Sequence, residues 1–269
     1  MPSAKSGKHT IKNIKVNQKH ITITFFKSEK IQISPEAYLS SYLYKGKTLS
    51  EDDINKLQAI TSSSALLSYV LNLVSRRPYS EKEIIDKLKR KEAGDETISQ
   101  IISKLKANNL INDELFAQNL VYFDRNRNLG KNKIIRHLKE KGINEGIINN
   151  LDFPEEEELE QARLLVPKLA IKYVSLAFEN QKRHLYQALV ARGYSLDIAR
   201  QAINFLESEP KENELAKLKE DYDKITKRFA RKYKGYELKQ KIYRALVNKG
   251  YQYQDIKQVM EDIQYENDC

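Results

Sequence analysis

One short segment occurs three times in this chain, and it restricts the fold to stacked helices. Leu138-Lys-Glu-Lys-Gly142-Ile143 returns as Leu189-Val-Ala-Arg-Gly193-Tyr194 and again as Leu246-Val-Asn-Lys-Gly250-Tyr251. Each copy reads as a helix end, a basic residue, a glycine, an apolar residue and then a second helix. The glycines lie 51 and 57 residues apart. Glycine has a physical task there: it enters the left-handed conformation just past a helix, and the next residue packs back on the helix it leaves. Leu88-Lys-Arg-Lys91, followed by Gly94, is a looser fourth copy. Between hairpins the pattern predicts one longer helix, over 113–128, 159–173 and 211–233. Such a period predicts three-helix units, about three of them, that bury each other's apolar stripes. None of the short helices carries enough apolar surface to stand alone.

Helix punctuation supports the same reading. Ser80 and Glu83 form an S-x-x-E capping box, so a helix is predicted from Glu81. Gly94 is expected to end it and Asp95 to cap the next, whose stripe is Ile98, Ile101, Ile102 and Leu105. Asn112 and Asp113 open a helix with Phe116, Leu120 and Phe123 on one side, and Gly130 is expected to stop it. Ile134, Ile135 and Leu138 line a further helix that ends at Gly142, and Asn144 opens another. Glu155–Glu158 place negative charge at a helix N-terminus, which the dipole favours; an acidic patch for a basic partner is the other reading. Pro167 is expected to kink or restart the helix from Leu159. Ala177 to Arg192 is a helix stopped by Gly193, Ser195 caps the next, and Glu209-Pro210 marks a boundary. Gly235 is expected to end the helix carrying Leu215, Leu218, Tyr222, Ile225 and Phe229.

Upstream the character changes. Ile11–Val16, Ile21–Phe26 and Ile31–Ile33 alternate and are rich in β-branched residues, which predicts a three-stranded meander. Ser34-Pro35-Glu36 opens a helix with proline at its first position, expected to reach Leu43 and to end at Lys45-Gly46-Lys47. Ser50 caps a helix through Ile54, Leu57 and Ile60. Ser62-Ser63-Ser64 then reads as a break and a new cap for a helix over Ala65–Val74. Residues 1–9 read as frayed. The predicted segments are 1–61 as an N-terminal extension, 62–153 as the first helical repeat region, 154–209 as the second and 210–269 as the third.

Charge narrows the partner class. Lys and Arg number 47 against 37 Asp and Glu, a formal net charge of +10, which points to a polyanion or an acidic protein surface. The lone cysteine, Cys269, allows no disulfide framework and no CxxC metal pair, which fits a reducing cytosol. No apolar run approaches the length of a membrane span, and MPSAKSGKHTIKN carries no apolar segment of a signal peptide. His9, His20, His137 and His184 are scattered, without H-E-x-x-H or metal spacing. Neither GxxxxGK[ST] nor GxGxxG occurs, and Asp113 with Glu114 lies at a helix start, where carboxylates cap. These observations give catalysis no support and imply no metal, cofactor or small-molecule substrate.

The cations cluster. Residues 224–249 hold ten Lys and Arg against Glu237 alone: Lys224, Lys227, Arg228, Arg231 and Lys232, then Lys234, Lys239, Lys241, Arg244 and Lys249. Such near-absence of acids departs from the mixed signs of an ordinary surface. Tyr233, Tyr236, Tyr243, Tyr251 and Tyr253 are interleaved with them, a pattern that suits stacking on nucleic acid, although packing with an exposed hydroxyl is the plainer role for any one. A second group runs through Arg125, Arg127, Lys131, Lys133 and Arg136 to Lys139 and Lys141, with Glu140 as its acid. Arg76 and Arg77 follow a helix C-terminus, where cations favour the dipole, and are candidates for partner contact.

The run Arg76-Arg77-Pro78-Tyr79-Ser80-Glu81-Lys82-Glu83, then Leu110-Ile111-Asn112-Asp113-Glu114-Leu115-Phe116-Ala117, Gly130-Lys131 and Leu138–Ile143 resembles the RecX regulatory proteins in order and spacing. Asn112-Asp113 stands where that family has a paired Asp-Asp, and Tyr79 where a basic residue is common. The resemblance implies a mainly α fold, an elongated, curved array of three-helix repeats with a small N-terminal β-containing extension. It implies a cytoplasmic, monomeric regulator that binds the RecA recombinase filament and damps its extension, ATP hydrolysis and strand exchange. Its nucleic-acid partner would be single-stranded DNA, with double-stranded DNA as a second candidate. Ser80, Glu83, Asp113, Gly130, Gly142, Gly193 and Gly250 are then structural motif positions. Two other readings stay open from the residues. One is a helix-turn-helix DNA-binding regulator over 80–111, with 96–107 as the reading helix, although the helical pattern at Leu115–Arg127 leaves no wing hairpin. The other is a helical scaffold or RNA-binding repeat.

Overall fold

Alternating β-branched residues open the described chain, and they form the only sheet among the described residues. In the computed structural model, which describes residues 9–206 and 211–268, β1 (His9–Val16), β2 (Ile21–Phe25) and β3 (Lys30–Ile33) make the expected antiparallel meander. Residues 1–8, the Glu209-Pro210 boundary and Cys269 lie outside the described residues. A short β4 (Thr48–Leu49), not foreseen, pairs with β1 and gives the order β3-β2-β1-β4. Gly46, at φ +93°, turns the chain into it. The helix opened by Ser34 is correspondingly short: α1 is Pro35–Leu39, and Tyr42 is exposed rather than helical.

The serine break does not occur. Helix α2 runs unbroken over Glu51–Val74. Its hydroxyls also reach sideways: the Thr61 hydroxyl donates to the Leu57 carbonyl of its own helix at 2.7 Å and accepts from Ser34 N–H at 3.0 Å, and the Ser64 hydroxyl donates to Glu36 at 2.6 Å. By length and composition α2 could cross a bilayer, which the expected break had concealed. In this fold it serves two cores: Leu57 with the sheet residues Ile11, Ile23 and Phe25, and Val70 with the first helical hairpin.

That hairpin is α3 (Glu81–Lys89) and α4 (Asp95–Ala107). It is followed by α5 (Asp113–Asn126), α6 (Lys131–Glu140), α7 (Glu145–Asn149) and α8 (Glu155–Ala170). Then come α9 (Phe178–Ala191), α10 (Leu196–Asn204), α11 (Lys211–Phe229), α12 (Gly235–Asn248) and α13 (Tyr253–Asp268). The looser copy at Leu88 proves a full member, so a long helix followed by a hairpin occurs four times among the described residues. The long helices are α2, α5, α8 and α11. Helix α8 takes in the glutamate run and passes through Pro167 without a break, ending in a 3-10 turn at Ile171–Tyr173. The chain forms two compact units: one runs to Phe116 and takes in Lys141–Ile143, the other holds Ala117–Glu140 and the chain from Asn144 on.

Inside both units a hairpin helix is capped by the long helix that follows it in sequence. The first N–H of α3, at Glu81, donates to Asp113 of α5 at 2.8 Å. That of α6, at Lys131, donates to Glu158 of α8 at 2.8 Å, and that of α9, at Phe178, to Glu214 of α11 at 3.0 Å. Asp113 therefore caps a neighbour, while Asn112 caps α5 itself by accepting from Leu115 N–H. The glycine turns meet these same helix starts. Gly142, Gly193 and Gly250 have φ of +77°, +94° and +94°, and Ile143, Tyr194 and Tyr251 pack back as expected. A Cβ at Gly142 would run into Lys82, at Gly193 into Lys133, and at Gly250 against Asn180.

Two glycines play other roles than expected. After α3 the left-handed residue is Glu92 (φ +58°), and Gly94 is the N-cap of α4, with Asp95 its first residue. After α5 it is Asn128 (φ +57°). Gly130 instead lies against the backbone of Gly193 and Tyr194, and its N–H donates to Arg192 C=O at 2.9 Å. Gly235 begins α12 rather than ending α11. On α5 the inner face is Phe116, Ala117, Val121 and Asp124, so Phe123 is exposed. A stripe can shift in this way because both registers offer apolar residues at helical spacing.

Alanine substitutions separate space from backbone strain. Gly130→Ala, which needs no left-handed conformation but has no room, is expected to lose about 2 kcal/mol. Gly46→Ala, with open space but positive φ, should lose about 1 kcal/mol, and Gly193→Ala, with both penalties, about 3 kcal/mol or more. Thermal unfolding followed by circular dichroism ranks them; a Gly130→Ala protein melting with the wild type contradicts the packing described.

Candidate polyanion-binding surface

Helix α11 is polarised by its sequence. Glu212 and Glu214 stand in its first turn and Lys227 and Arg228 in its last, as the helix dipole favours. The chain then turns through Arg231, Lys232 and Lys234 into α12. Among the described residues Lys227, Arg231, Lys232, Lys234 and Arg244 form no ion pair, and all five are exposed. Other members of the cluster are engaged. Lys224 bonds Glu220, which raises its pKa. Lys249 reaches Asp221 at 2.7 Å. Arg228 lies 4.6 Å over Phe229, and Lys241 5.1 Å over Tyr233. Like charges left without counter-charges set up a field that attracts polyanions.

The tyrosines divide likewise. Tyr251 is buried and donates to Asp221 at 2.8 Å; burial first, and then that bond, push its pKa far above the ordinary value. Tyr233 packs edge-on to Phe229. Tyr236 and Tyr253 are exposed.

In the 125–141 group most of the cations are engaged. Arg125 binds Glu157 at 3.4 Å and the Asp152 carbonyl at 2.9 Å. Arg127 binds Asp124 at 3.3 Å, Arg136 lies 3.9 Å from Glu140, and Lys139 3.0 Å from Glu145. Lys131 stands 5.6 Å from the Phe153 ring, and the stem of Lys133 packs against Gly193. Glu157 and Glu158 of the glutamate run are thus spent on Arg125 and on the α6 cap. His137, read as isolated, bonds the buried Asp124 at 2.6 Å. The available signal was an acid on the inner face of a helix, where a buried carboxylate needs a partner.

Arg77 is likewise a fastener. It pairs with Glu83 at 3.2 Å and lies 3.6 Å over the Tyr79 ring. Glu83 closes the capping box and also binds Lys141 at 2.7 Å, while Ser80 donates to the Lys141 carbonyl at 2.7 Å. Burial works against the Glu83 charge, but Arg77 and Lys141 outweigh it and hold its carboxyl below the usual range. Burial pushes the Asp113 carboxyl up. Arg76 is exposed and, among the described residues, unpaired. Among the described residues no group of three or more His, Cys, Asp or Glu could hold a metal ion.

Comparison with known proteins places these features in a family. The models for the RecX first, second and third three-helix domains match residues 67–105, 112–150 and, for the third, both 155–203 and 212–260. The regulatory protein RecX of Streptococcus gordonii is 31% identical over 245 residues, 87% of this chain and 92% of the relative. That of Streptococcus agalactiae serotype Ia is 32% identical over 261 residues, 94% of this chain and 98% of the relative. A crystal structure of regulatory protein RecX superposes with a TM-score of 0.61 at 23% identity, covering 73% of this chain and 99% of that one.

Two outcomes follow from these contacts. Reversing Lys227, Arg228, Arg231 and Lys232 to Glu together should weaken DNA binding and lower the slope of log affinity against log salt by roughly 3 units, at about 0.7 per single-strand phosphate. An unchanged slope in fluorescence anisotropy moves the contact elsewhere. Glu83, with its folded-state pKa depressed, contributes stability that is present above its unfolded pKa and is lost as pH falls through the folded value. Glu83→Gln should therefore cost about 1–2 kcal/mol at neutral pH. The gap to wild type in urea unfolding should narrow as pH falls below the ordinary carboxylate range and close once Glu83 is protonated in the folded state; a gap constant to low pH contradicts the ion pairs.

Proposed function

The chain belongs to the RecX family of regulatory proteins, and from that premise we propose that it binds the RecA recombinase on single-stranded DNA and blocks growth of the filament. It thereby lowers ATP hydrolysis and strand exchange, acting in the cytosol as a monomer. The observation that carries the reading is the unneutralised cation cluster at the end of α11 and the start of α12. A regulator of a nucleoprotein polymer meets phosphates, and such a surface supplies affinity without sequence preference. The remaining repeats leave surface for the protein part of the polymer, and linked contacts raise the effective concentration of each.

The helix-turn-helix alternative is disfavoured by one observation. A reading helix meets base edges with its N-terminal residues, yet α4 begins Asp95-Glu96, and its Lys106 is held by Glu81 at 2.6 Å. Helix α5 follows where a wing would stand.

The deciding measurement is RecA ATP hydrolysis on single-stranded DNA, titrated with this protein. Suppression is expected at amounts well below one per RecA protomer, since one blocked end idles many protomers. No suppression, or a tight site-specific footprint on duplex DNA, overturns the proposal.

A further inference from the structure

The same three helices that carry and flank the free cations border an open aromatic cavity of about 380 Å³. Tyr222 of α11, Tyr243 of α12 and Tyr253 of α13 supply its rings, and Met260 a further wall. The Tyr243 and Tyr253 rings meet edge-to-face, with centroids 5.9 Å apart at 78°. Lys239 and Lys257 also line the cavity, as does Glu261, which lies 3.7 Å from Lys257. Tyr253 is 61% exposed. Tyr236, 77% exposed, stands two turns before Tyr243 on the same face of α12, with Lys239 between them.

Aromatic faces alternating with ammonium groups fit one class of ligand. Single-stranded nucleic acid offers a flat π-face and a phosphate at each step, and proteins hold it by stacking the first and pairing the second. A duplex offers phosphates and groove edges but no π-face along its length, because its bases are stacked inside. The cavity lies within the size range of small-ligand sites, and a methionine wall adapts to rings of different size. We propose that this cavity seats an unpaired base of single-stranded nucleic acid, while the cations of α11 and the turn after it hold the flanking phosphates. The proposal rests on the nucleic-acid part of the function given above and adds a preference for unpaired strands.

The test uses the full chain with three fluorescent probes of equal length: oligo(dT), an abasic strand and a duplex. Wild type is expected to bind oligo(dT) about tenfold more tightly than the abasic strand, the order of one lost stacking contact. Tyr253→Ala should remove most of that preference without changing abasic or duplex binding, and Tyr253→Phe, which keeps the ring, should retain it. Equal wild-type affinity for oligo(dT) and the abasic strand overturns the base site. So does an equal loss for all three probes in Tyr253→Ala at unchanged melting temperature. Absence of wild-type binding to every probe overturns the nucleic-acid reading beneath it.

Discussion

Helix starts govern this molecule. A short helix leaves its first N–H groups without partners, and burying that end without a cap is costly. Here a hairpin helix is capped from outside its own repeat: Asp113 serves α3, Glu158 serves α6 and Glu214 serves α9. Each acid lies in the first turn of the next long helix, where it also suits that helix's own dipole. One carboxylate therefore serves two helix ends.

The glycines follow from that arrangement. Because the later turn closes on the capped start, the left-handed position at Gly193 faces the backbone of Lys133 with no space for a Cβ. Where the turn faces open space, ordinary residues take the same conformation: Glu92 and Asn109 are both left-handed and exposed. Glycine is thus demanded by a neighbour as much as by φ. Gly130 makes the point from the other side, being pressed against Gly193 without any need for positive φ.

What could be read from the chain alone divides along the same line. The three glycine turns, the Ser80–Glu83 box and the inner residues of α4 are local patterns, and they stand as expected. The continuity of α2 was hidden because its hydroxyls serve Ser34 and Glu36, residues remote in sequence. The reassignments of Gly94 and Gly130 have the same origin: Glu92 and Asn128 take the left-handed turns, and Gly130 is set by its contact with Gly193. At the site, the 224–249 cluster was visible as composition. Its division into free and neutralised cations was not, because Lys249 finds Asp221 across 28 residues. The cations of the 125–141 group are engaged in the same way, through Glu157, Asp124 and Glu145.

The placement of the free cations then becomes informative. Lys234 is the N-cap of α12 and makes no side-chain cap, and Arg231 and Lys232 precede it. Cations at a helix N-terminus oppose the dipole, which Glu237 in the first turn of α12 favours; no carboxylate from a following helix is seen at this start among the described residues, unlike those of α3, α6 and α9. A polyanion at this surface would neutralise these side chains and face the N-terminal end of α12. The charges of the earlier repeats hold helices together, whereas Lys227, Arg231, Lys232 and Lys234 meet no counter-charge among the described residues.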